Sequence, residues 1–385
     1  MLTNEQENAV KSIIDDYYDG ATASTLSGSP GTGKTHTTGE AVREFRKMDL
    51  KIAVTASTNK ALDVIQQAAL SGGWYHHVAW WGTVHKILGL VYVPEEDRIR
   101  SYSSGVVSKF NVVVVDEASM LNAEILALLR SKANFVLFVG DRNQLPPVGE
   151  EIPIAFMVKG PDLKTSMRHD NPDIRTLVEY MKLAIEEDYM TVPAKLLEPF
   201  AIHDFQEWQD GIGIEDNEMA LAYTNAEVDR INRVVRAKNK FNAEYNIGDK
   251  VIFTSPVYRE LLGLSNLIFS ASEIARVREV SSASINGYPC FNLRLRSRKN
   301  EAYVLVYDTS QMNYINFLQK DGVKSPDIVH IKYAYAITVH RSQGSEAEVV
   351  HVNLEDIRRC QEIAERRKLS YVAFSRASRA LRILC

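Results

Sequence analysis

Cysteine is scarce in this chain of 385 residues, which contains three: Cys290, Cys360 and Cys385. They lie far apart and form no CxxC pair, so the sequence signals neither a disulfide framework nor a zinc ribbon. A reducing compartment fits this cysteine usage best, and we therefore expect a cytoplasmic location.

Long apolar runs and a leader segment are missing as well. No stretch approaches the roughly 18 residues of a membrane span, and the opening MLTNEQENAV is neither basic nor apolar. We expect no membrane partner and no secretion. An excess of positive charge is also lacking, because the net charge is −4. This argues against a protein that coats nucleic acid, yet it leaves room for one that holds a few nucleotides in a local cleft.

Strands and helices alternate along much of the chain. Apolar runs predict buried strands, and segments with helical spacing lie between them, which together predict an α/β fold with parallel sheets covered on both faces. The predicted strands are Lys51–Thr55, Asn111–Val115, Asn134–Val139 and Glu348–Val352, and the predicted helices include Thr37–Met48, Asn59–Leu70 and Ala123–Ser131.

The pattern changes after about residue 246. Short β-rich pieces such as KVIF, CFNLRLR and YVLVY are separated by turn residues, among them Asn286-Gly287. We predict a small antiparallel sheet or barrel inserted there, with the α/β pattern resuming near Ile328. An insertion is compatible with the α/β domain because its two ends can lie close together.

Gly28 to Thr35 read GSPGTGKT and match the phosphate-binding pattern G-x-x-x-x-G-K-[ST] at every fixed position. The glycines let backbone N–H groups surround phosphate oxygens, Lys34 is placed to reach the β- and γ-phosphates, and the Thr35 hydroxyl is placed to ligate Mg²⁺. The helix that follows directs its positive end at the anion. A glycine-rich turn ahead of an ordinary helix is the alternative interpretation.

An acidic pair follows the valine-rich strand in VVVVDEASM. Asp116 and Glu117 leave the carboxyl end of that strand, which is where open α/β sheets bind ligands. Asp116 would hold the water shell of Mg²⁺, and Glu117 would orient or deprotonate the attacking water. Alone, such a pair is often only a solvated turn.

A third motif, VGDRNQLPPVG, spans Val139–Gly149. An apolar strand ends in Gly-Asp, and the polar loop after it places Gln144 to sense the γ-phosphate. Taken alone, this segment is a strand followed by a proline-rich turn. Its position after the first two motifs favours a sensor loop.

These motifs and several others resemble the superfamily 1 DNA helicases, most closely the 1B or RecD-like branch that includes the bacteriophage Dda helicase. The resemblance covers nearly the whole chain in the family's order, from residue 2 to about residue 378. The further segments that carry it are Leu2–Gln6, Thr55–Ala61, Thr83–Ile87, Met167–Pro172, Leu221–Asn225, Thr338–Glu346 and Tyr371–Arg376.

The resemblance implies two RecA-like motor domains with ATP and Mg²⁺ bound between them. We expect domain 1A at residues 1–160, with a strand-splitting pin at about 89–107, and domain 2A at residues 161–246 and 326–385. A β-rich, SH3-like domain 2B would occupy residues 247–325.

The resemblance also assigns site residues. Arg168 and Arg376 would complete the charge around the γ-phosphate when the domains close, and Gln6 would read the adenine. The catalytic set is then Lys34, Glu117, Gln144, Arg168 and Arg376; the nucleotide set is Gln6, Gly28, Pro30, Gly31, Thr32, Gly33, Lys34, Thr35, His36, Gly344 and Glu346; the Mg²⁺ set is Thr35 and Asp116; and the DNA set is Thr58, Asn59, Thr83, His85, Thr224, Thr338 and His340.

We therefore predict an ATP-dependent DNA helicase that moves 5′→3′ on single-stranded DNA, meets single-strand/duplex junctions, works as a monomer, and has single-strand-binding or replisome proteins as further partners. Three departures from the family pattern bear on this: Arg341 replaces a usual Lys, Ser378 replaces a usual basic residue, and the pin region is short. The short pin leaves open a single-strand-stimulated ATPase with little unwinding. An RNA track also stays open, because motifs that contact phosphates do not exclude RNA. The alternative from another class is a non-catalytic replication or recombination scaffold, against which the intact Lys34, Asp116, Glu117 and Arg376 argue.

Two basic stretches and one aromatic pair have competing interpretations. The arginines of Val228–Lys240 and of Ile357–Lys368 form either solvated helix faces or DNA grips, with the solvated face favoured. Trp80-Trp81 either packs in the core or stacks on a base, with core packing favoured.

Overall fold

The computed structural model describes residues 2–93, 98–101, 103–147, 150, 152–166, 171–188, 192–261, 264–285, 288–307 and 329–385. Their contacts divide the chain into two compact units. The first contains Met1–Pro199, Gln343–Glu346 and Cys360–Ala380, and the second contains Phe200–Ser342, Ala347–Arg359 and Leu381–Cys385.

The helices and strands alternate much as the sequence pattern predicts. In chain order the helices are α1 (Asn4–Tyr18), α2 (Lys34–Lys47), α3 (Asn59–Ser71), α4 (Val84–Leu88), α5 (Ala123–Lys132), α6 (Pro172–Glu186), α7 (Ala194–Leu197), α8 (Phe205–Asp210), α9 (Asn225–Lys238), α10 (Leu354–Ile357) and α11 (Ile363–Phe374). The strands are β1 (Ala23–Gly28), β2 (Ile52–Ala56), β3 (Trp80–Thr83), β4 (Leu90–Val93), β5 (Arg98–Ser101), β6 (Val112–Asp116), β7 (Phe135–Gly140), β8 (Asp162–Leu163), β9 (Ala201–Ile202), β10 (Glu218–Ala222), β11 (Lys250–Phe253), β12 (Val257–Leu261), β13 (Leu264–Phe269), β14 (Ile274–Ile285), β15 (Tyr288–Arg296), β16 (Glu301–Tyr307), β17 (Ile331–Tyr333), β18 (Ala336–Thr338), β19 (Ala347–Asn353) and β20 (Ala377–Leu384).

The first unit is built on a parallel sheet with strand order β3-β2-β6-β7-β1-β8, counting the residues described. Successive side chains of a strand point to opposite faces. Val112 and Val114 of β6 accordingly pack into one core with Ile13 and Phe45. Val113 and Val115 pack into the other, as expected for a sheet with helices on both faces.

The second unit contains a sheet with strand order β18-β10-β19-β20-β9, within the described part of the chain, and its β10 pairs in parallel with β18 and β19. Helix α9 covers this sheet through the buried side chains of Val228, Ile231 and Val235. These three residues have helical spacing, so one face of α9 is apolar and the opposite face is polar.

The predicted β-rich insertion is an antiparallel sheet in the order β16-β15-β14-β11-β17, as far as the described residues extend. Phe253 and Phe269 stack in its core, with ring centroids 4.4 Å apart. This sheet extends past residue 325, where we expected domain 2B to end. Its edge strand β17, Ile331–Tyr333, pairs with β11.

The α/β fold with parallel sheets and a β-rich insertion is confirmed, and so are the predicted strands and helices to within a few residues at their ends. The contact-based units place residues 161–199 with the first unit, whereas our prediction assigned them to domain 2A. In the predicted pin region, β4 and β5 form an antiparallel pair. Among the residues described, no helix combines the length and the apolarity of a membrane span.

Candidate nucleotide site and nucleic-acid face

Strand β1 leads into the phosphate-binding loop although much of it is polar. Its polar side chains are fully buried and have partners. The Ser24 hydroxyl donates to Oδ2 of Asp16 at 2.6 Å, and the Thr25 hydroxyl donates to the Val158 carbonyl at 3.3 Å. Because satisfied polar groups can be buried at low cost, this polar strand is compatible with a central place in the sheet.

The phosphate-binding loop has the backbone that its glycines predict. Gly31 and Gly33 adopt φ of 83° and 84°, the left-handed region that glycine enters without strain. Gly33 immediately precedes α2, and among the residues described no side chain caps that helix. The N–H groups of its first turn therefore remain available to an anion.

Lys34 is folded back onto its own loop. Its Nζ donates to the carbonyl oxygens of Gly28 at 2.7 Å and of Ser29 at 3.2 Å. A phosphate oxygen carries a negative charge and is a stronger acceptor than either carbonyl. Thr35 follows half-buried at the start of α2, and His36 is exposed.

Gln6 braces the loop from α1. Its Nε2 donates to the Thr32 carbonyl at 3.0 Å, and its Oε1 accepts from the Thr3 backbone N–H at 3.1 Å. A Cβ at Gly33 would collide with the Gln6 amide, and the positive φ of Gly33 also disfavours a side chain there. Pro30 is buried in the same loop. The predicted contact of Gln6 with an adenine stays a prediction.

The acidic pair ends β6 as the sequence predicts. Asp116 is the last residue of the strand, and Glu117 adopts φ of 50°, an uncommon left-handed conformation for a residue with a side chain. Burial and the charge of Glu117 raise the pKa of Asp116 to about 7, while the charge of Lys34 opposes this shift. Two neighbouring carboxyl groups at this half-buried strand end are a donor set that suits a divalent cation.

The sensor loop follows β7 and contains three buried polar residues, Asp141, Asn143 and Gln144. Oδ1 of Asp141 accepts from the Asn143 backbone N–H at 2.9 Å, and its Oδ2 accepts from the Tyr371 hydroxyl at 2.6 Å. Burial raises the pKa of Asp141, and the charge of Lys34 lowers it. Gln144 is 3% exposed, and its Oε1 has no hydrogen-bond partner among the described residues, so a bound water could fill that position.

Arg376 follows α11 and is 3% exposed. Its guanidinium donates to the Val372 carbonyl at 3.1 Å, to the Ser345 carbonyl at 3.2 Å and to the Ser375 hydroxyl at 3.0 Å. Burial lowers the pKa of Arg376, and the nearby charge of Glu117 raises it. The structure thus brings Arg376 together with Glu117 inside the first unit.

A four-residue segment, Gln343–Glu346, also belongs to the first unit. Nε2 of Gln343 donates to the Leu145 carbonyl of the sensor loop at 3.2 Å. Gly344 adopts φ of 68°, and a Cβ there would lie 3.9 Å from Oε1 of Glu117. Glu346 is exposed. Arg168, the second arginine that we predicted for the γ-phosphate, lies outside the described residues.

Thr58 and Thr83 lie at the carboxyl ends of two neighbouring strands, β2 and β3. Each hydroxyl accepts the backbone N–H three residues ahead, at 3.1 Å for Thr58 and 3.3 Å for Thr83, and so caps α3 and α4. A hydroxyl that accepts a hydrogen bond can still donate one to a phosphate. Asn59 is the first residue of α3.

The tripeptide Thr-Val-His ends a strand in each unit, at Thr83–His85 and at Thr338–His340. The Thr338 hydroxyl accepts the Arg341 N–H at 3.4 Å, just as Thr83 accepts the N–H three residues ahead of it. The central valine is fully buried in both turns. Burial lowers the pKa of His85 and favours its neutral imidazole. Each unit therefore presents a hydroxyl and an imidazole on the same kind of turn.

Thr224 caps α9 and is already engaged by a carboxylate. Its hydroxyl lies 3.1 and 3.2 Å from the two carboxylate oxygens of Asp356, and the backbone N–H groups of Tyr223 and Thr224 donate to Oδ2 of Asp356 at 2.9 and 2.8 Å. A DNA phosphate at this position would compete with Asp356. The predicted DNA contact of Thr224 stays a prediction.

The expected solvated face is wrong for Arg236, Arg367 and Lys368. Arg236 forms an ion pair of 3.0 Å with the fully buried carboxylate of Asp249. Arg367 and Lys368 are also buried, and Arg367 pairs with Asp188. Asp188 lies 179 residues from Arg367 in the sequence, so helical spacing alone could not reveal this partner.

The favoured interpretation of Trp80-Trp81 is confirmed, because the two indoles pack against opposite cores of the first unit. The ring of Trp81 stacks on Tyr75 with centroids 4.9 Å apart. The sequence reasoning missed Asp141 and Tyr371 as site residues. The signal was present, since Asp141 lies in the Gly-Asp pair of the sensor loop and Tyr371 opens the segment that ends in Arg376.

Two family models match the chain. One, described as an AAA domain, matches residues 1–189, and the other, described as a UvrD-like helicase C-terminal domain, matches residues 333–384. The two regions contain the phosphate-binding loop and Arg376, respectively.

The chain is similar to helicases of the Pif1 and RecD-like kind. The ATP-dependent DNA helicase Pif1 of Campylobacter jejuni is 23% identical over 404 residues, which cover 92% of this chain and 86% of that protein. The ATP-dependent RecD2 DNA helicase of Deinococcus radiodurans is 32% identical over 137 residues, which cover 35% of this chain and 17% of that protein. An uncharacterized protein, R530, of Acanthamoeba polyphaga mimivirus is 24% identical, covering 92% of this chain and 94% of that one.

Solved structures show the same fold. The Pif1 helicase from Candida albicans has a TM-score of 0.56 and 19% identity, covering 100% of this chain and 94% of that one. Bacteroides Pif1 bound to ssDNA has a TM-score of 0.57 and 16% identity, covering 99% of this chain and 92% of that one. At these identities the likeness establishes the fold. A special likeness to the Dda helicase stays a prediction.

Proposed function

We propose that this chain is an ATP-dependent DNA helicase that moves along single-stranded DNA and separates the strands ahead of it. The observation that carries the proposal is the burial of Arg376 beside Glu117, in the same unit as Lys34 and Asp116. Opposite charges converge there, at the carboxyl edge of a parallel sheet. Phosphoryl transfer depends mainly on such positioned charge.

The residues present fit ATP and Mg²⁺. The left-handed glycines and the free N–H groups of α2 would hold the phosphates, and Lys34 would exchange its two carbonyl acceptors for phosphate oxygens. Thr35 and Asp116 would hold Mg²⁺, whose charge would also favour the ionised form of Asp116. When bound, the cation supplies neutralisation of the charge that develops on the phosphate oxygens.

The protein's own groups would then carry out hydrolysis. Glu117 would accept a proton from the attacking water, and Gln144 would hold that water through its unpartnered Oε1. Arg376 would stabilise the charge of the transition state with its planar fork of N–H donors. Arg168 would add a second positive charge by the resemblance alone.

Single-stranded DNA is the track that we propose. The two Thr-Val-His turns provide hydroxyl and imidazole groups, which contact phosphates without reading the sequence of bases. Several relatives carry the name DNA helicase, and Bacteroides Pif1 has been solved with ssDNA bound. Our proposed 5′→3′ direction rests on the RecD-like resemblance, and so do the boundaries of domains 1A, 2A and 2B.

ATP turnover with and without single-stranded DNA tests the proposal. We expect stimulation by DNA, and we expect Lys34→Ala to abolish turnover while leaving the fold intact. An unchanged rate in Lys34→Ala would contradict the assigned site. Single-stranded RNA of the same length in a parallel reaction tests the choice of track, since RNA stimulating as well as DNA would contradict a DNA-specific motor.

A second candidate is an ATPase that translocates on single-stranded DNA but separates strands poorly. It is favoured by the short pin region, where β4 and β5 pair over four residues each. Strand displacement on duplexes with a 5′ tail or a 3′ tail distinguishes the two candidates. Rapid ATP turnover without displacement of either duplex would favour the translocase, and displacement of the 3′-tailed duplex alone would contradict the proposed direction.

A further inference from the structure

Ser345 contacts two side chains from distant parts of the sequence. Its hydroxyl accepts a hydrogen bond from Nζ of Lys60, and its backbone carbonyl accepts one from Nη1 of Arg376 at 3.2 Å. The three residues all belong to the first unit. A single residue thus joins the start of α3 to the arginine proposed for the γ-phosphate.

Lys60 lies where a DNA phosphate would compete with the Ser345 hydroxyl for its ammonium group. It is the second residue of α3, directly after Thr58 and Asn59, which we propose as DNA contacts. The positive end of a helix is unfavourable for a cation without an acceptor. In the described structure a neutral hydroxyl is one acceptor of this ammonium, and a DNA phosphate is a stronger, charged one.

The segment around Ser345 also touches the rest of the nucleotide site. Gln343 donates to the Leu145 carbonyl at 3.2 Å, and Gly344 lies against Glu117. A small shift of this segment would therefore alter the surroundings of Arg376 and of Glu117 together. The segment Gln343–Glu346 is only four residues long. The Ser345 hydroxyl that Lys60 contacts is therefore near both Arg376 and Glu117.

We propose that Lys60 is a positioning residue that couples the presence of a DNA strand to the position of Arg376 through Ser345. This inference rests on the proposed function and adds the route by which DNA stimulates ATP hydrolysis. Without DNA, the bond to Lys60 holds the Ser345 segment in its present position. A phosphate at Thr58 and Asn59 draws the ammonium away, and the freed segment lets Arg376 reach the γ-phosphate. A ligand shifts such an equilibrium only through a difference in affinity, which here includes the stronger, charge-assisted bond that a phosphate offers the Lys60 ammonium compared with the Ser345 hydroxyl.

The test compares Lys60→Met with the wild-type chain, measuring ATP turnover across a range of concentrations of a single-stranded oligonucleotide. We expect the ratio of DNA-saturated to DNA-free turnover to fall by about tenfold, mainly through a higher DNA-free rate, because the bond that holds the Ser345 segment is lost. Lys60→Arg retains the charge and should recover most of the ratio. Lys51→Met is the matched control, because Lys51 is exposed and precedes β2, at the opposite end of that strand from α3.

Ser345→Ala removes the hydroxyl and keeps the carbonyl, so it should reduce the same ratio. Because both changes break one route, the Lys60→Met/Ser345→Ala double variant should lose little more than either single variant. Thermal unfolding of each variant checks that the fold is retained. If Lys60→Met reaches the normal saturated rate and only needs a higher DNA concentration to do so, Lys60 is a simple phosphate contact. The inference is then wrong.

Equal losses of DNA-free and DNA-saturated turnover would likewise overturn the inference, since they indicate general damage to the site. Normal stimulation in both single variants overturns it while leaving the proposed helicase intact. A wild-type chain whose ATP turnover does not respond to DNA overturns the proposed function, and the inference with it.

Discussion

The Tyr371 hydroxyl donates a hydrogen bond of 2.6 Å to Oδ2 of Asp141, and both side chains are buried. Helix α11 is thereby attached to the sensor loop. Arg376 lies just beyond the end of the same helix, so this bond helps to fix its position.

Tyr371→Phe removes this hydroxyl and keeps the ring. We expect kcat for ATP hydrolysis to fall by about tenfold, because a hydrogen bond to a buried carboxyl group is lost and the end of α11 is less well fixed. Steady-state ATP turnover with saturating single-stranded DNA measures this. Tyr18→Phe is the control, since Tyr18 is 68% exposed. An equal kcat for Tyr371→Phe and wild type would show that the bond does not position Arg376.

Replacement of Arg376 tests the charge that faces Glu117. We expect Arg376→Ala to lower kcat by about 10³-fold or more, since an arginine that completes the transition-state charge contributes on this scale. Arg376→Lys should recover little, because a lysine cannot reproduce the planar fork of donors. A fluorescent ATP analogue should still bind, as Lys34 and the loop remain. Arg379→Ala changes an exposed arginine on the following strand and should be active; comparable losses in both variants would contradict a specific role.

Local patterns were sufficient to predict much of this molecule. The valine run before Asp116 and the glycines around Lys34 each specify a strand end or a loop within a few residues. Both motifs lie at the carboxyl edge of the parallel sheet for the same reason, because β1 and β6 are parallel strands of one sheet. The α/β fold and the phosphate-binding loop could therefore be predicted from the sequence.

Long-range partners could not be predicted in this way. Tyr371 and Asp141 are separated by 230 residues, and Thr224 and Asp356 by 132. From the sequence, Thr224 was predicted to contact a DNA phosphate. Nothing in the sequence indicated that the Asp356 carboxylate would accept hydrogen bonds from the Thr224 hydroxyl and backbone N–H. Helix spacing likewise identified the arginines of α9 without showing that Arg236 turns toward Asp249.

The ion pair of Arg236 and Asp249 yields a stability prediction. The Asp249 side chain is fully buried and also accepts from the Tyr335 hydroxyl at 2.9 Å. Arg236→Ala would leave a buried carboxylate without its cation, and we expect the free energy of unfolding to fall by about 3 kcal/mol. Denaturant unfolding followed by circular dichroism measures this change.

Arg233→Ala is the matched control for that experiment. Arg233 lies one turn earlier on α9 and is exposed, so its removal should change the free energy of unfolding by less than about 0.5 kcal/mol. Similar losses for the two variants would mean that the helix, and not the buried pair, responds to the loss of an arginine.

His351 yields a prediction about stability and pH. Its side chain is completely buried on β19, with the Trp208 ring beside it and Oε2 of Glu218 at 3.5 Å from Nε2. Burial, with the charges of Arg382 and Lys238, lowers the pKa of His351 from 6.5 to about 4, although Glu218 opposes the shift. The unfolded chain then binds a proton more readily than the folded chain between these two values. The free energy of unfolding is therefore unaffected by this group above pH 6.5 and falls as the pH decreases from 6.5 toward 4.

We expect this group to account for a loss of about 2 kcal/mol between about pH 7.5 and about pH 4.5. Denaturant unfolding across this range should show a shallower pH dependence for His351→Leu than for the wild-type chain, because leucine cannot be protonated. His203→Leu is the control, since His203 is exposed. A pH dependence in His351→Leu as steep as in the wild type would assign the acid sensitivity to other groups.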